Sequence, residues 1–124
     1  MFEEIKIKIF GIQPAAKVTT NKLEVLIARE FPEHIEEVTL ALYKLNGYSS
    51  DGINRISAAI LKLADKDLSL LNFYIDKANS DNRDVLSQAE YPRCSQLGFE
   101  DFNITNIKSI YLDDWREYSK WLNY

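Results

Sequence analysis

At 124 residues the chain has the length of a single domain, and a hydrophobic content of 46% is enough for one core without disulfides or metals. A net charge of −4 and a pI near 5.0 argue against binding nucleic acid by neutralising phosphates, while an acidic balance suits a basic partner. The single cysteine, Cys94, excludes an intramolecular disulfide and with it a secreted, disulfide-stapled scaffold. No window approaches about 18 uninterrupted apolar residues, and "MFEEIKIKIFGI" carries acids where a signal peptide has a basic region, so a cytoplasmic protein is expected, neither exported nor membrane-bound.

Residues 3–10, "EEIKIKIF", alternate apolar and polar through Ile5, Ile7 and Ile9, the period of a half-buried strand. A strand needs a partner, so the segment is either a short helix ending at Gly11 or an edge that pairs with another chain, which makes a homodimer through residues 3–10 one reading. After the connector Gln13 to Asn21, Leu23, Leu26 and Ile27 recur at helical spacing behind the candidate caps Thr20 and Asn21, predicting a helix over about 21–30. "FPEHIEEVTLALYKLNGYSS" restarts it: Pro32 suits the first helical position, Glu33, Glu36 and Glu37 the positive end of the helix dipole, and Gly47 the far end. Its apolar face is Ile35, Val38, Leu42 and Leu45.

A third helix carries Ile53, Ile56, Ile60 and Leu63 along one stripe, with Ala58 and Ala59 permitting close packing. A fourth begins behind Asp65 or Asp67 and draws its buried residues from Leu68, Leu71, Phe73 and Ile75. In "NRDVLSQAEYPR", Asp81 or Asn82 can cap, Val85, Leu86 and Ala89 face inward, and Pro92 pushes Tyr91 out of helical geometry, ending the helix at about Glu90. "CSQLGFEDFNITN" reads as a loop anchored by Leu97, Phe99 and Phe102, with a glycosylation sequon at Asn103 that would require secretion. Last comes an amphipathic helix with Tyr111, Trp115, Tyr118 and Leu122 on one face. No repeat or linker splits the chain, so the expected fold is mainly α: one domain, residues 1–124, a bundle of five or six helices with the amino-terminal strand left open.

Chemistry-bearing residues are sparse. His34 is the only histidine, so a Cys-His pair would have to join it to Cys94, and a Ser-His-Asp triad through it lacks a nucleophile-elbow sequence. The paired acids "DKD" and "DNRD" sit where helices begin, which favours capping over catalysis. Calcium fails on spacing: an EF-hand loop from Asp76 puts Asp81 where glycine belongs and Ser87 where the closing glutamate belongs. With four glycines, Gly11, Gly47, Gly52 and Gly98, and neither a Walker loop nor a dinucleotide fingerprint, a phosphate cradle is not expected. A helix-turn-helix would expose "LSLLNFYIDKAN" to bases, with Leu, Phe and Tyr where polar readers belong. The expectation is a non-enzyme with no catalytic residues, metal ligands or cofactor.

The carboxy-terminal 14 residues hold two tryptophans and three tyrosines among Asp113, Asp114 and Glu117. Interface hot spots favour Trp and Tyr. The candidate partner-binding residues are therefore Asp113, Asp114, Glu117, Tyr118, Trp121 and Tyr124, with Trp115 assigned to the core.

Read in order, Arg55, Leu61 to Leu63, Arg83 to Leu86, Ala89 to Pro92, "LGF" at Leu97 to Phe99, and Asp114, Trp115, Tyr118, Trp121 and Leu122 resemble the pattern of a widespread bacterial group of small helical proteins. That group is associated with immunity proteins of toxin systems, contact-dependent inhibition among them. The resemblance covers about half the chain and leaves residues 1–50 unmatched. It implies a non-enzymatic protein that neutralises a toxin domain, such as a nuclease, by direct contact, and it carries over no catalytic residue. It also implies that Arg83 to Pro92 is scaffold, with Arg83 pairing to a carboxylate on a neighbouring helix. A self-associating structural or adaptor protein is the alternative.

Overall fold

The computed structural model describes residues 2–97 and 104–124. Among them are eight α-helices and no strand. Six are those the periodicity predicts: α2 (Thr20–Glu30), α3 (Ile35–Leu42), α4 (Ser50–Ala64), α5 (Leu68–Ser80), α6 (Asn82–Glu90) and α8 (Ile104–Leu122). Of the other two, α1 (Phe2–Ile5) lies in the segment left open between a strand and a short helix, and α7 (Pro92–Leu97) in a segment expected to be a loop.

Of the two readings of residues 3–10, the helix ending at Gly11 is the one adopted, and the strand is not. α1 runs into a π-helical turn, Lys6–Phe10, which Gly11 ends in the left-handed conformation, φ +63°, donating its N–H to the Ile7 carbonyl at 3.0 Å. No second strand exists among the described residues to complete a ladder, so the helical form is the one that satisfies these amides within the segment. Helical geometry splits the apolar residues: Ile7 is buried, while Ile5, Ile9 and Phe10 are exposed.

Short polar side chains set the starts. Thr19 rather than Thr20 caps α2, accepting from the Lys22 amide at 3.1 Å, and Ser49 caps α4 through the Gly52 amide at 3.2 Å. Asp67 caps α5 through Ser69 and Leu70, and Asp81 accepts from Asp84 at the start of α6. Pro32 and Glu33 stay in the turn before α3, so only Glu36 and Glu37 lie in its first turn. Gly47 adopts φ +79° in the bend that follows.

The chain divides into two compact units. One, Lys17–Ala89, is built around α4, which packs on α2 and α5, while α3 also packs on both. Ala58 and Ala59 are fully buried there with Ile56, Ile60, Leu61, Leu71 and Ile75, whereas Phe73 falls on the solvent side of α5. Lys62 reaches the last turn of α6, donating from Nζ to the Ala89 carbonyl at 2.8 Å. The ion pair joining α5 and α6 is made by Asp84, not Arg83: Lys77 Nζ lies 2.7 Å from Asp84 Oδ2, and Arg83 is exposed.

The other unit combines Met1–Ala16 with Glu90–Tyr124; in it the amino-terminal π-helical turn and α7 pack on α8. Arg116 of α8 pairs with Glu4 at 2.7 Å, which holds the Glu4 carboxyl below its usual value. Tyr91 ends α6 as expected, its hydroxyl donating to the Pro14 carbonyl at 2.7 Å and its ring meeting Tyr111 edge-on. Pro92 then starts a helix rather than a loop, since proline fits the first helical position. Tyr91 offers α7 no cap, so Asp114 provides it from α8: the Arg93 and Cys94 amides donate to its carboxylate at 3.4 and 3.3 Å, and Arg93 Nη1 donates at 2.8 Å. Phe99, Phe102 and Asn103 lie outside the described residues.

Asp114→Ala removes three donors' acceptor from a side chain with 0% exposure and should lower stability to urea by about 3 kcal/mol. Asp114→Asn keeps an acceptor oxygen and should lose about half as much. An unchanged urea midpoint for Asp114→Ala, followed by circular dichroism, would refute the capping role.

Candidate functional site

α8 presents two faces. Asp114, Tyr118 and Leu122, at spacings of four, form its buried row, with Tyr118 only 1% exposed. Of the six candidate residues, Asp114 and Tyr118 are thus turned inward, a consequence of helical spacing that puts them on the same side as the core leucine. Asp113, Glu117 and Tyr124 are exposed, Tyr124 at 89%, and Trp121 is half-buried, stacked on Tyr118 with ring centroids 5.7 Å apart. Glu117 is not a free charge: Arg93 Nη1 lies 2.6 Å from its Oε2. Arg116 and Lys120 share the outer side of this helix, so the acid-rich face expected from sequence is electrically mixed.

A second surface, on α2 and α3, is one the sequence reading did not single out. Val25, Ile35, Leu40 and Tyr43 are exposed there, Leu40 at 61% and Tyr43 at 77%, among the exposed acids Glu24, Glu33, Glu36 and Glu37. Between α2, α3 and α4 lies a cavity of about 220 Å³ lined chiefly by Leu23, Ile27, Ile35, Leu42, Tyr43 and Ile53, with Glu24 at its edge. Thr20, Thr39, Asn54 and Ser57 complete the wall. Asn54 Nδ2 donates to Thr20 Oγ1 at 3.2 Å, and Thr39 Oγ1 to the Ile35 carbonyl at 2.7 Å. The signal was present in the composition of α3: "IEEVTLALY" has apolar residues on more sides than one buried stripe uses, so a remainder must face outward. No family model, curated protein or solved structure matches the chain.

The groups weighed for catalysis have local structural duties. His34, in the larger unit, is exposed with its Nδ1 3.2 Å from Glu37 Oε2. "DKD" provides the left-handed Asp65, φ 49°, after α4 and the cap Asp67, and "DNRD" provides the cap Asp81 and the Lys77 partner Asp84, whose hydrogen bond holds that lysine above its ordinary value. Among the described residues no three His, Cys, Asp or Glu side chains come together as a metal site. Cys94, half-buried, lies in the other unit. Burial, and then the negative charge of Asp114 beside it, push its thiol up to about 12. At pH 8 that leaves on the order of one thiolate in ten thousand, so iodoacetamide should modify Cys94 at least about tenfold more slowly in the native protein than in urea. Mass spectrometry over time would measure both rates, and equal rates would refute the shift.

Proposed function

We propose that this chain is an immunity protein, a non-enzymatic partner that binds a toxin domain and blocks it. The observation that carries the reading is the outward-facing set Val25, Ile35, Leu40 and Tyr43 on two consecutive helices, interspersed with Glu24, Glu33, Glu36 and Glu37. Exposed apolar side chains interspersed with charge are a feature of protein-interaction surfaces. Desolvated aromatic and aliphatic anchors slow dissociation, while acids at the rim steer a basic partner and speed encounter. A nuclease domain, basic because it handles phosphates, has the matching charge. The pattern shared with a bacterial group of small helical proteins, a group associated with immunity proteins, supports the same reading. Asp113, Glu117, Trp121 and Tyr124 form a second candidate surface on the other unit.

A second reading has an observation of its own. Ile5, Ile9 and Phe10 are exposed on the amino-terminal helical segment, and Ile12 is exposed just beyond Gly11. Two copies related by a two-fold axis would pair this exposed apolar face with itself. A self-associating adaptor would use this face as a helix pair rather than as paired strands. Light scattering should then give twice the monomer mass, reverting to monomer in Ile9→Lys.

The immunity reading is tested by capture of inactivated toxin domains encoded in the same genome, followed by calorimetry. The expected result is one-to-one nanomolar binding, with Tyr43→Ala raising the dissociation rate at least about tenfold. Glu24→Lys with Glu36→Lys should slow association several-fold, the more so at low salt. No retained toxin, with both proteins folded, would reject the reading. If Asp113→Lys and Tyr124→Ala weaken binding while Tyr43→Ala does not, the interface is on α8.

A further inference from the structure

We propose that the cleft between α2, α3 and α4 is a socket for one tryptophan-sized side chain of the partner protein, carried on a basic segment. This rests on the reading of the chain as a partner-binding protein and specifies what it holds. Size decides first. At about 220 Å³ the cavity is smaller than the roughly 300–1,000 Å³ usual for small-molecule sites, yet larger than the roughly 150 Å³ that accommodates benzene, so it suits a single bulky ring.

The wall decides which ring. Leu23, Ile27, Leu42 and Ile53 supply the apolar contact, while Thr20, Thr39 and Ser57 bring hydroxyl-bearing side chains to the same lining. Buried polar groups are stable when hydrogen-bonded. An indole, apolar around its edge with one N–H donor, meets both requirements better than a leucine or phenylalanine.

Charge decides the segment. Glu24 is the only charged side chain in the lining, and Glu36 follows Ile35 on the neighbouring wall, exposed. No lysine or arginine contributes to the lining; Lys22, two residues before Glu24, falls on the opposite side of α2. A lysine or arginine next to the inserted ring would therefore find a carboxylate and no like charge in the lining. Tyr43, exposed at the mouth, can cover the ring once it is seated.

The test titrates the isotope-labelled full chain, by NMR, with capped tripeptides Lys-Trp-Lys, Glu-Trp-Glu and Lys-Ala-Lys, and with indole. Lys-Trp-Lys should shift the amides of Leu23, Thr39, Tyr43 and Ser57 saturably, with a dissociation constant of about a millimolar. Glu-Trp-Glu should bind at least about fivefold more weakly, Lys-Ala-Lys should give no saturable shift, and Glu24→Lys should reverse the charge preference. Ser57→Leu, which fills the cavity, should abolish binding; where it compromises folding, Ile35→Glu at the exposed rim should do the same. Equal binding of the two tryptophan peptides, shifts confined to other residues, or no saturation would overturn the proposal. Indole binding as tightly as Lys-Trp-Lys would also overturn it, making the cleft a small-molecule site. Failure here is distinguishable from failure of the immunity reading: a toxin held with unchanged affinity by Ile35→Glu removes the socket and leaves the function. Selective Lys-Trp-Lys binding with no toxin captured does the reverse.

Discussion

The carboxylate of Asp114 is the constraint on which the carboxy-terminal part of the molecule depends. A helix of six residues such as α7 has too few internal hydrogen bonds to persist alone, and its first amides need an acceptor. Its flanking residue, Tyr91, has committed its hydroxyl to the Pro14 carbonyl, so the acceptor comes from another helix. A buried carboxylate is costly unless its lone pairs are filled, and here two backbone amides and a guanidinium fill them. Arg93 then extends to Glu117, so one arginine ties α7 to two successive turns of α8. The buried Tyr118 follows one turn after Asp114 on the same row.

That arrangement explains which parts of the structure were legible. Helices α2, α4, α5 and α6 announce themselves through local signals, namely a capping residue, a 3.6-residue apolar period and a stop, and all of these act within a few positions along the chain. Thr19, Ser49, Asp67 and Asp81 each bond amides two or three residues away. The cap of α7 acts from 20 residues away, at the Cys94 amide, and no local pattern can encode it. The local pattern therefore shows Pro92 as the terminator of α6, which it is, but not as the initiator of α7, which it also is. The amino-terminal segment stayed open between strand and helix for a different reason: its alternating isoleucines fit a strand in isolation, and whether a pairing strand exists is not encoded locally; none is present among the described residues.

The candidate surfaces show the same division. Residue type picked out α8, where Trp, Tyr and Asp are dense, but type does not report direction. Helical spacing puts Asp114 and Tyr118 on the row that ends at Leu122, and an acid whose every partner is internal has no charge to offer a visitor. The α2–α3 surface was illegible because each residue in it, a valine, two aliphatics and a tyrosine, is ordinary. Only the excess of apolar side chains over what one buried stripe can use sets "IEEVTLALY" apart.

Under the proposed reading this division has a functional consequence. A protein that must match one partner needs a contact surface whose side chains can differ without disturbing the fold. On α8 that freedom is limited: Arg93, Asp114, Glu117 and Tyr118 belong to the same network or the same buried row, so a change that tunes binding also loosens α7. Leu40 and Tyr43 face solvent, while Val38, Ala41 and Leu42 hold α3 to its neighbours from the other side. Surface substitutions away from caps and buried networks change stability by about 0.5 kcal/mol or less. Stability and recognition are thereby assigned to opposite sides of one helix, and the α3 surface can carry specificity at little cost to the fold.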